Sequence, residues 1–230
     1  MIKKELIDRN PLRLLDSGSG KILDNGQMGV VVANAGIGKT SFLVQLALDS
    51  LLIGKNVLHI SLDQSVKKVV LWYDEVYHNI KEIYNLGQSN ELCETTLPHR
   101  FIMTFTSDRF TAQRLEDRLA DLTEQGIFFP QVMLVDGLHF DDTIRETLSE
   151  IRLMARDHGF PVWFSAQNHR EDAVDQDGVP SSISHVSDLF DIIIQLQPEG
   201  KDVNIVNLKG AMKTEGHLKL DPATFLVKQS

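Results

Sequence analysis

The segment that most restricts the fold runs from Gly29 to Ser41 and reads GVVVANAGIGKTS. A β-branched run, Val30 to Val32, stops at small and glycine residues, and Lys39, Thr40 and Ser41 then open an apolar stretch from Phe42 to Ile53. The pattern predicts a strand, a tight loop and a helix, with an ammonium and a hydroxyl at the helix N-terminus. Glycines let such a loop turn back with its N–H groups pointing inward, and the helix dipole favours an anion at that end. The candidate phosphate cradle is therefore Ala33, Asn34, Ala35, Gly36, Ile37, Gly38, Lys39, Thr40 and Ser41. Lys39 would reach the β- and γ-phosphates and the Thr40 hydroxyl would ligate Mg²⁺. Ala33 stands where the strict pattern G-x-x-x-x-G-K-[ST] has its first glycine.

The rest of the chain alternates strands and helices. Residues 1–20 read as a polar arm, and residues 21–230 as one α/β domain. Expected strands are 57–62, 101–105, 131–135, 162–166 and 191–197, followed by a hairpin-like end at 203–209 and 217–220. Between them, helices are expected over 65–86, 111–125 and from Thr143 to Gly159, the last opened by a capping box, Thr143 to Glu146. In the first of these, Val66, Val69, Tyr73, Val76, Ile80 and Ile83 form the inward stripe. Trp72, Tyr73, Tyr77 and Tyr84 make it aromatic, for which packing on the sheet is a simpler account than a partner surface. Residues 168–187 read as a polar loop. The alternation predicts a mainly parallel, twisted sheet flanked by helices, with a C-terminal antiparallel hairpin.

Ligands in such sheets gather at the carboxyl ends of the strands, and those ends carry chemistry. Asp136 follows four apolar residues and would complete the Mg²⁺ shell with Thr40. The residue after it is Gly137, which disfavours a catalytic glutamate beside that aspartate. Asp63 ends the strand after the first helix and would align an attacking water, although capping the next helix competes with Ser65 for the same position. Gln167 ends the fifth core strand.

With 230 residues, 42% of them hydrophobic, the chain can bury a full core. A net charge of -9 at pH 7 argues against a broad nucleic-acid-binding surface. The single cysteine, Cys93, allows no internal disulfide, so a reducing cytoplasm is the expected compartment. No apolar run has the length of a bilayer span, and no His pair lies at metal-ligand spacing with a companion ligand.

At this point the chain resembles the RecA-type ATPases, and within them the KaiC-like proteins and the replicative-helicase motor domain. The likeness extends from about Leu23 to Leu226 and is weakest over 70–110. Ala33 to Thr40 resembles the Walker A loop, Val57 to Asp63 the strand that ends in the catalytic glutamate, and Ser165 to Arg170 the stretch whose Gln senses the γ-phosphate. Asp188 to Ile194 resembles an aspartate leading into an apolar strand, and Val203 to Leu220 the closing strands. The resemblance implies an ATP- and Mg²⁺-dependent ATPase with Lys39, Asp63, Gln167 and Lys209 in catalytic roles. Lys209 would reach into a neighbour's site within a ring or filament of identical subunits, a hexameric ring being the leading form. Two departures imply slow or partner-activated turnover. Asp63 is one methylene shorter than glutamate, and Ala211 replaces the usual arginine, for which Lys213, two residues on, is a poor substitute.

A nucleic-acid motor needs positive loops. Residues 137–142 are acidic, and in 168–178 Arg170 faces Glu171, Asp172, Asp175 and Asp177, so that reading is disfavoured. A small-molecule kinase, with Arg170 as its lid cation, and a non-hydrolysing ATP-dependent assembly switch remain as alternatives, and a protein partner is a further expectation.

Overall fold

Val30, Val31 and Val32 lie in the middle of a strand, β1 (Met28–Ala33), in which every residue is buried. A strand covered on both faces has no use for alternation, which is why it reads as an unbroken apolar run. The structure is a computed structural model that describes residues 6–7, 10–15, 22–85, 94, 96–169, 172–210 and 218–229. Gly87, Cys93, Arg170, Glu171, Ala211, Lys213 and most of the 1–20 arm lie outside the described residues.

The other strands are β2 (Val57–Ser61), β3 (Arg100–Thr104), β4 (Val132–Asp136), β5 (Val162–Gln167), β6 (Ile192–Glu199), β7 (Asp202–Lys209), β8 (Leu218–Leu220) and β9 (Val227–Gln229). Together they form a 9-stranded sheet in the order β3-β2-β4-β5-β1-β6-β7-β8-β9. The pairs β1–β5, β1–β6, β2–β3, β2–β4 and β4–β5 are parallel. From β6 onward the pairing is antiparallel. The register sets the site: Ala33 is level with Gln167, and Ser61 with Asp136.

Both faces are covered. One carries α1 (Lys39–Leu52) and α2 (Val66–Ile83), packed through Phe42, Leu43, Val44, Ala47, Val69 and Tyr73 against Val31, Ala33 and Leu134. The other carries α3 (Ala112–Glu124) and α4 (Ile144–His158), packed through Leu115, Leu119, Leu148 and Ile151 against Val30, Val32, Ile60 and Phe164. The sheet faces alternate accordingly, since successive side chains point to opposite sides. α1 is apolar around most of its circumference because Leu12, Leu15, Leu220, Leu226 and Val227 share its core cluster beside the central strands.

Several expectations are corrected. Val66 and Ile83 are exposed, at 45% and 52%, so the inward stripe of α2 is Val69, Tyr73 and Val76, with Ile80 partly buried against the core. α2 ends at Ile83, and Ser65, not Asp63, caps it by accepting from the Lys68 N–H. The capping box before α4 does not form: Asp141 accepts both the Thr143 N–H and the Thr143 hydroxyl, and Thr143 has a helical backbone (φ -96, ψ -10) and makes no side-chain bond to the helix. The 168–187 segment is not simply a polar loop. It contains a short helix, α5 (Ser181–Ser184), and buries Val179, Ile183 and Val186. The expected antiparallel end is present, β7 pairing with β8, but β7 also pairs antiparallel with β6, and β9 is an added strand. Among the described residues no helix is long and apolar enough to cross a membrane.

Candidate functional site

The loop after β1 leads directly into α1, whose N-cap, Gly38, has φ 107 and offers no side-chain cap. An L side chain would be strained there, and a Cβ would lie 2.7 Å from Leu220 Cδ2. Without a capping side chain, the first-turn N–H groups of α1 have no intrahelical partner, which leaves donors facing the loop. The Lys39 ammonium folds back over this loop and donates to the carbonyls of Ala33 (3.0 Å) and Asn34 (3.1 Å). Burial pulls the Lys39 ammonium below its ordinary range, while the charges of Asp136 and Asp63 pull it back up. The loop thus holds a partly buried cation between two carboxylates that end neighbouring strands.

Asp136 is 3% exposed. Its Oδ2 accepts from the Thr40 hydroxyl at 2.8 Å, across 96 residues of sequence. Its Oδ1 accepts from the Ser165 hydroxyl, which in turn accepts the Gly137 N–H at 3.0 Å. Ser165 is a residue the sequence did not single out: one serine in a buried strand has no motif, and only the β4–β5 pairing sets it against Asp136. Thr40 and Asp136 are hard oxygen donors, and among the described residues the carboxylate's hydrogen-bond partners are hydroxyls. That donor set fits a hard divalent cation that takes its remaining ligands from water and phosphate. Among the described residues no group of three or more His, Cys, Asp or Glu would hold a metal without such help.

Asp63 is exposed at the end of the β2 segment, with Ser61 Oγ 3.4 Å from its Oδ1. Its carboxylate lies against Gly137, where a Cβ would fall 2.8 Å from Asp63 Cγ. The absence of a side chain after Asp136 is therefore what admits Asp63: a glutamate at 137 and a carboxylate at 63 would compete for the same space. Gln167 is exposed at the end of β5, level with Ala33. It opens on a cavity of 490 Å³ lined also by Phe140, His139, Asp141, His169 and Asp172.

The structure brings together Lys39, Thr40, Asp63 and Asp136, and places Gln167 at the same edge of the sheet. It does not bring Lys209 there. Lys209 ends β7 opposite Ile193, a residue level with Val30, and its ammonium donates to the Ser187 carbonyl at 2.9 Å. Asn34 Oδ1 and Asn168 Oδ1 are buried without a hydrogen-bond partner among the described residues, one in the loop and the other just past β5. Either is an amide whose half-turn would present a donor instead. No protein-family model matches this chain, and no curated protein matches it in sequence.

Proposed function

We propose that this chain binds ATP with Mg²⁺ at the loop before α1 and hydrolyses it slowly, as an ATPase of the RecA/KaiC-like type. The observation that carries the reading is the hydrogen bond between Thr40 and Asp136, because it joins the helix N-terminus to the end of β4 beside an ammonium. The N–H groups from Ala33 to Ser41 would surround the phosphates, and Lys39 would exchange its two carbonyl partners for phosphate oxygens. Thr40 and Asp136 would hold Mg²⁺, which would neutralise phosphate charge when bound. Asp63 would accept a hydrogen bond from water and align it for in-line attack on the γ-phosphorus. The water oxygen would bond to phosphorus as the Pγ–O bond to ADP breaks, and both of the water's protons would leave with the phosphate. Gln167 would contact the γ-phosphate and pass its presence to the 168–187 segment. The short Asp63 side chain supports slow rather than fast turnover.

Lys209 would act on a neighbour's nucleotide in a ring of identical subunits. Its place away from its own loop supports a role in trans, though the Ser187 carbonyl must first release it. The acidic 137–142 and 168–178 loops favour a protein partner over nucleic acid, and the composition favours a cytoplasmic setting. A second reading, transfer of the γ-phosphoryl to a small hydroxyl acceptor, is favoured by the 490 Å³ cavity beside Gln167. One experiment separates these readings: solution mass with and without ATP·Mg²⁺, measured alongside phosphate release. Assembly with turnover supports the ring ATPase, and assembly without phosphate supports a switch. A monomer that releases phosphate only with an added acceptor supports the kinase, and no response to any nucleotide overturns the proposal.

A further inference from the structure

Phe225 is an aromatic residue whose conformation the core does not explain. Its φ is 55, one of two positive values at non-glycine residues among the described residues. A side chain in that region crowds its own carbonyl, so the surrounding structure must hold it there. The restraints are specific. Gln45 of α1, 6% exposed, donates to the Phe225 carbonyl at 2.7 Å and accepts the Val227 N–H at 2.8 Å. Asn79 of α2 donates to the Thr224 carbonyl at 2.9 Å, and the Phe225 N–H donates to Asp221 at 2.7 Å. Leu226 and Val227 are buried and account for the chain entering the core, but the Phe225 ring is only half-buried and stands outside the core clusters.

The ring lies instead beside the phosphate loop. A Cβ on Gly38 would lie 3.6 Å from Phe225 Cδ1. Trp72 meets the ring in a T-shaped contact, with centroids 5.7 Å apart and planes at 83°. Such a contact covers at most one face of the Phe225 ring, and Trp72 is itself tied to Gln64, the residue after Asp63, at 3.2 Å. The strand order gives the direction. Asp63, Asp136 and Gln167 come from β2, β4 and β5, all on one side of β1, whereas Phe225 comes from the β8–β9 turn on the other. The γ-phosphate and metal groups thus occupy one side of the loop, and the nucleoside end of a bound triphosphate must leave toward the other.

The geometry points to Phe225 as a stacking platform for the nucleobase, with the restraints from Gln45 and Asn79 holding the ring over the loop. This subsite rests on the nucleotide-binding reading above and specifies the substrate end that reading leaves open. An aromatic face stacks on any base, so the platform adds affinity without choosing between purines.

The test is calorimetric titration of the full chain with Mg²⁺ and either ATP or inorganic tripolyphosphate. Phe225→Gly suits it because glycine adopts the positive φ freely. Wild type is expected to bind both ligands. Phe225→Gly is expected to lose about tenfold in ATP affinity, the scale of one stacked base, with tripolyphosphate affinity unchanged. Phe225→Tyr is expected to restore ATP binding. Equal ATP affinity in wild type and Phe225→Gly overturns the platform while leaving the triphosphate site standing. An equal loss for both ligands also overturns it, by showing that the turn supports the loop rather than the base. A wild type that binds neither ligand overturns the nucleotide reading and the subsite together.

Discussion

Two aspartates at opposite ends of the sheet make opposite use of burial. Asp191, just before β6, accepts the Met28 N–H at 2.8 Å and meets the Arg152 guanidinium at 3.1 Å, and Arg152 also donates to the Leu189 carbonyl. The carboxylate has a cation, a backbone donor and a place at the amino edge of the sheet; it fastens β1, β6 and α4. Asp136, at the carboxyl edge, is more deeply buried yet among the described residues receives only the hydroxyls of Thr40 and Ser165. The nearby Lys39 ammonium is turned to loop carbonyls. A buried charge is normally paired. The difference teaches that the amino edge is closed on itself, whereas the carboxyl edge keeps a charge arrangement that solution components would complete.

Substitutions can break or sharpen that contrast. The largest effect is expected from Lys39→Ala, which removes the loop's cation and should weaken ATP binding by about 100-fold or more in a calorimetric titration. Retained affinity would break the comparison at its active end. Asp63→Asn should leave ATP binding intact and cut phosphate release about 100-fold, the scale of a positioned base. Unchanged hydrolysis would remove Asp63 from the mechanism.

The two aspartates should then separate by readout. Arg152→Ala leaves Asp191 without its cation and should cost about 2 kcal/mol in urea unfolding, below the roughly 3–5 kcal/mol of a fully buried pair because solvent reaches both side chains. Its ATP affinity should match wild type. Asp136→Asn should shift stability by no more than about 1 kcal/mol, since both hydroxyls can still bond an amide, yet abolish the advantage of Mg²⁺ in ATP binding. A reversal of this pattern would make Asp136 the fastener.

A more gradual effect is a pH slope from a third buried group. His59 is fully buried against the Tyr73 hydroxyl at 3.0 Å, and burial, helped by the Arg100 charge, pulls its pKa from 6.5 to about 3. The unfolded chain therefore binds a proton that the folded chain refuses, so stability falls as pH drops below 6.5, by up to about 1.4 kcal/mol per pH unit. His59→Gln should flatten that slope between pH 6.5 and 5, as read from urea midpoints.

Much of the candidate site was legible because strand endings are local. The β-branched run, the glycines and Lys39 sit within a few residues of one another, and Asp63, Asp136 and Gln167 each follow an apolar segment whose length announces where it stops. Ser165 was not legible, because its partner is on another strand 29 residues away. The capping box failed for a local reason the pattern omits: Asp141, two residues upstream, accepts the Thr143 N–H and hydroxyl, and Thr143 takes a helical rather than an extended backbone. Phe225 was passed over because a positive φ at a phenylalanine follows from restraints 145 to 182 residues distant.

What the sequence determined by itself is the alternation of strands and helices, and a loop whose N–H groups, glycines and lysine suit an anion, since both depend on neighbours a few residues apart. Only the tertiary structure decided which strand ends lie side by side, that Gly137 makes room for Asp63, that Lys209 lies away from its own loop, and that Phe225 stands over Gly38. Those facts depend on strand order and on contacts between distant segments, which are fixed when the whole sheet closes around its two cores.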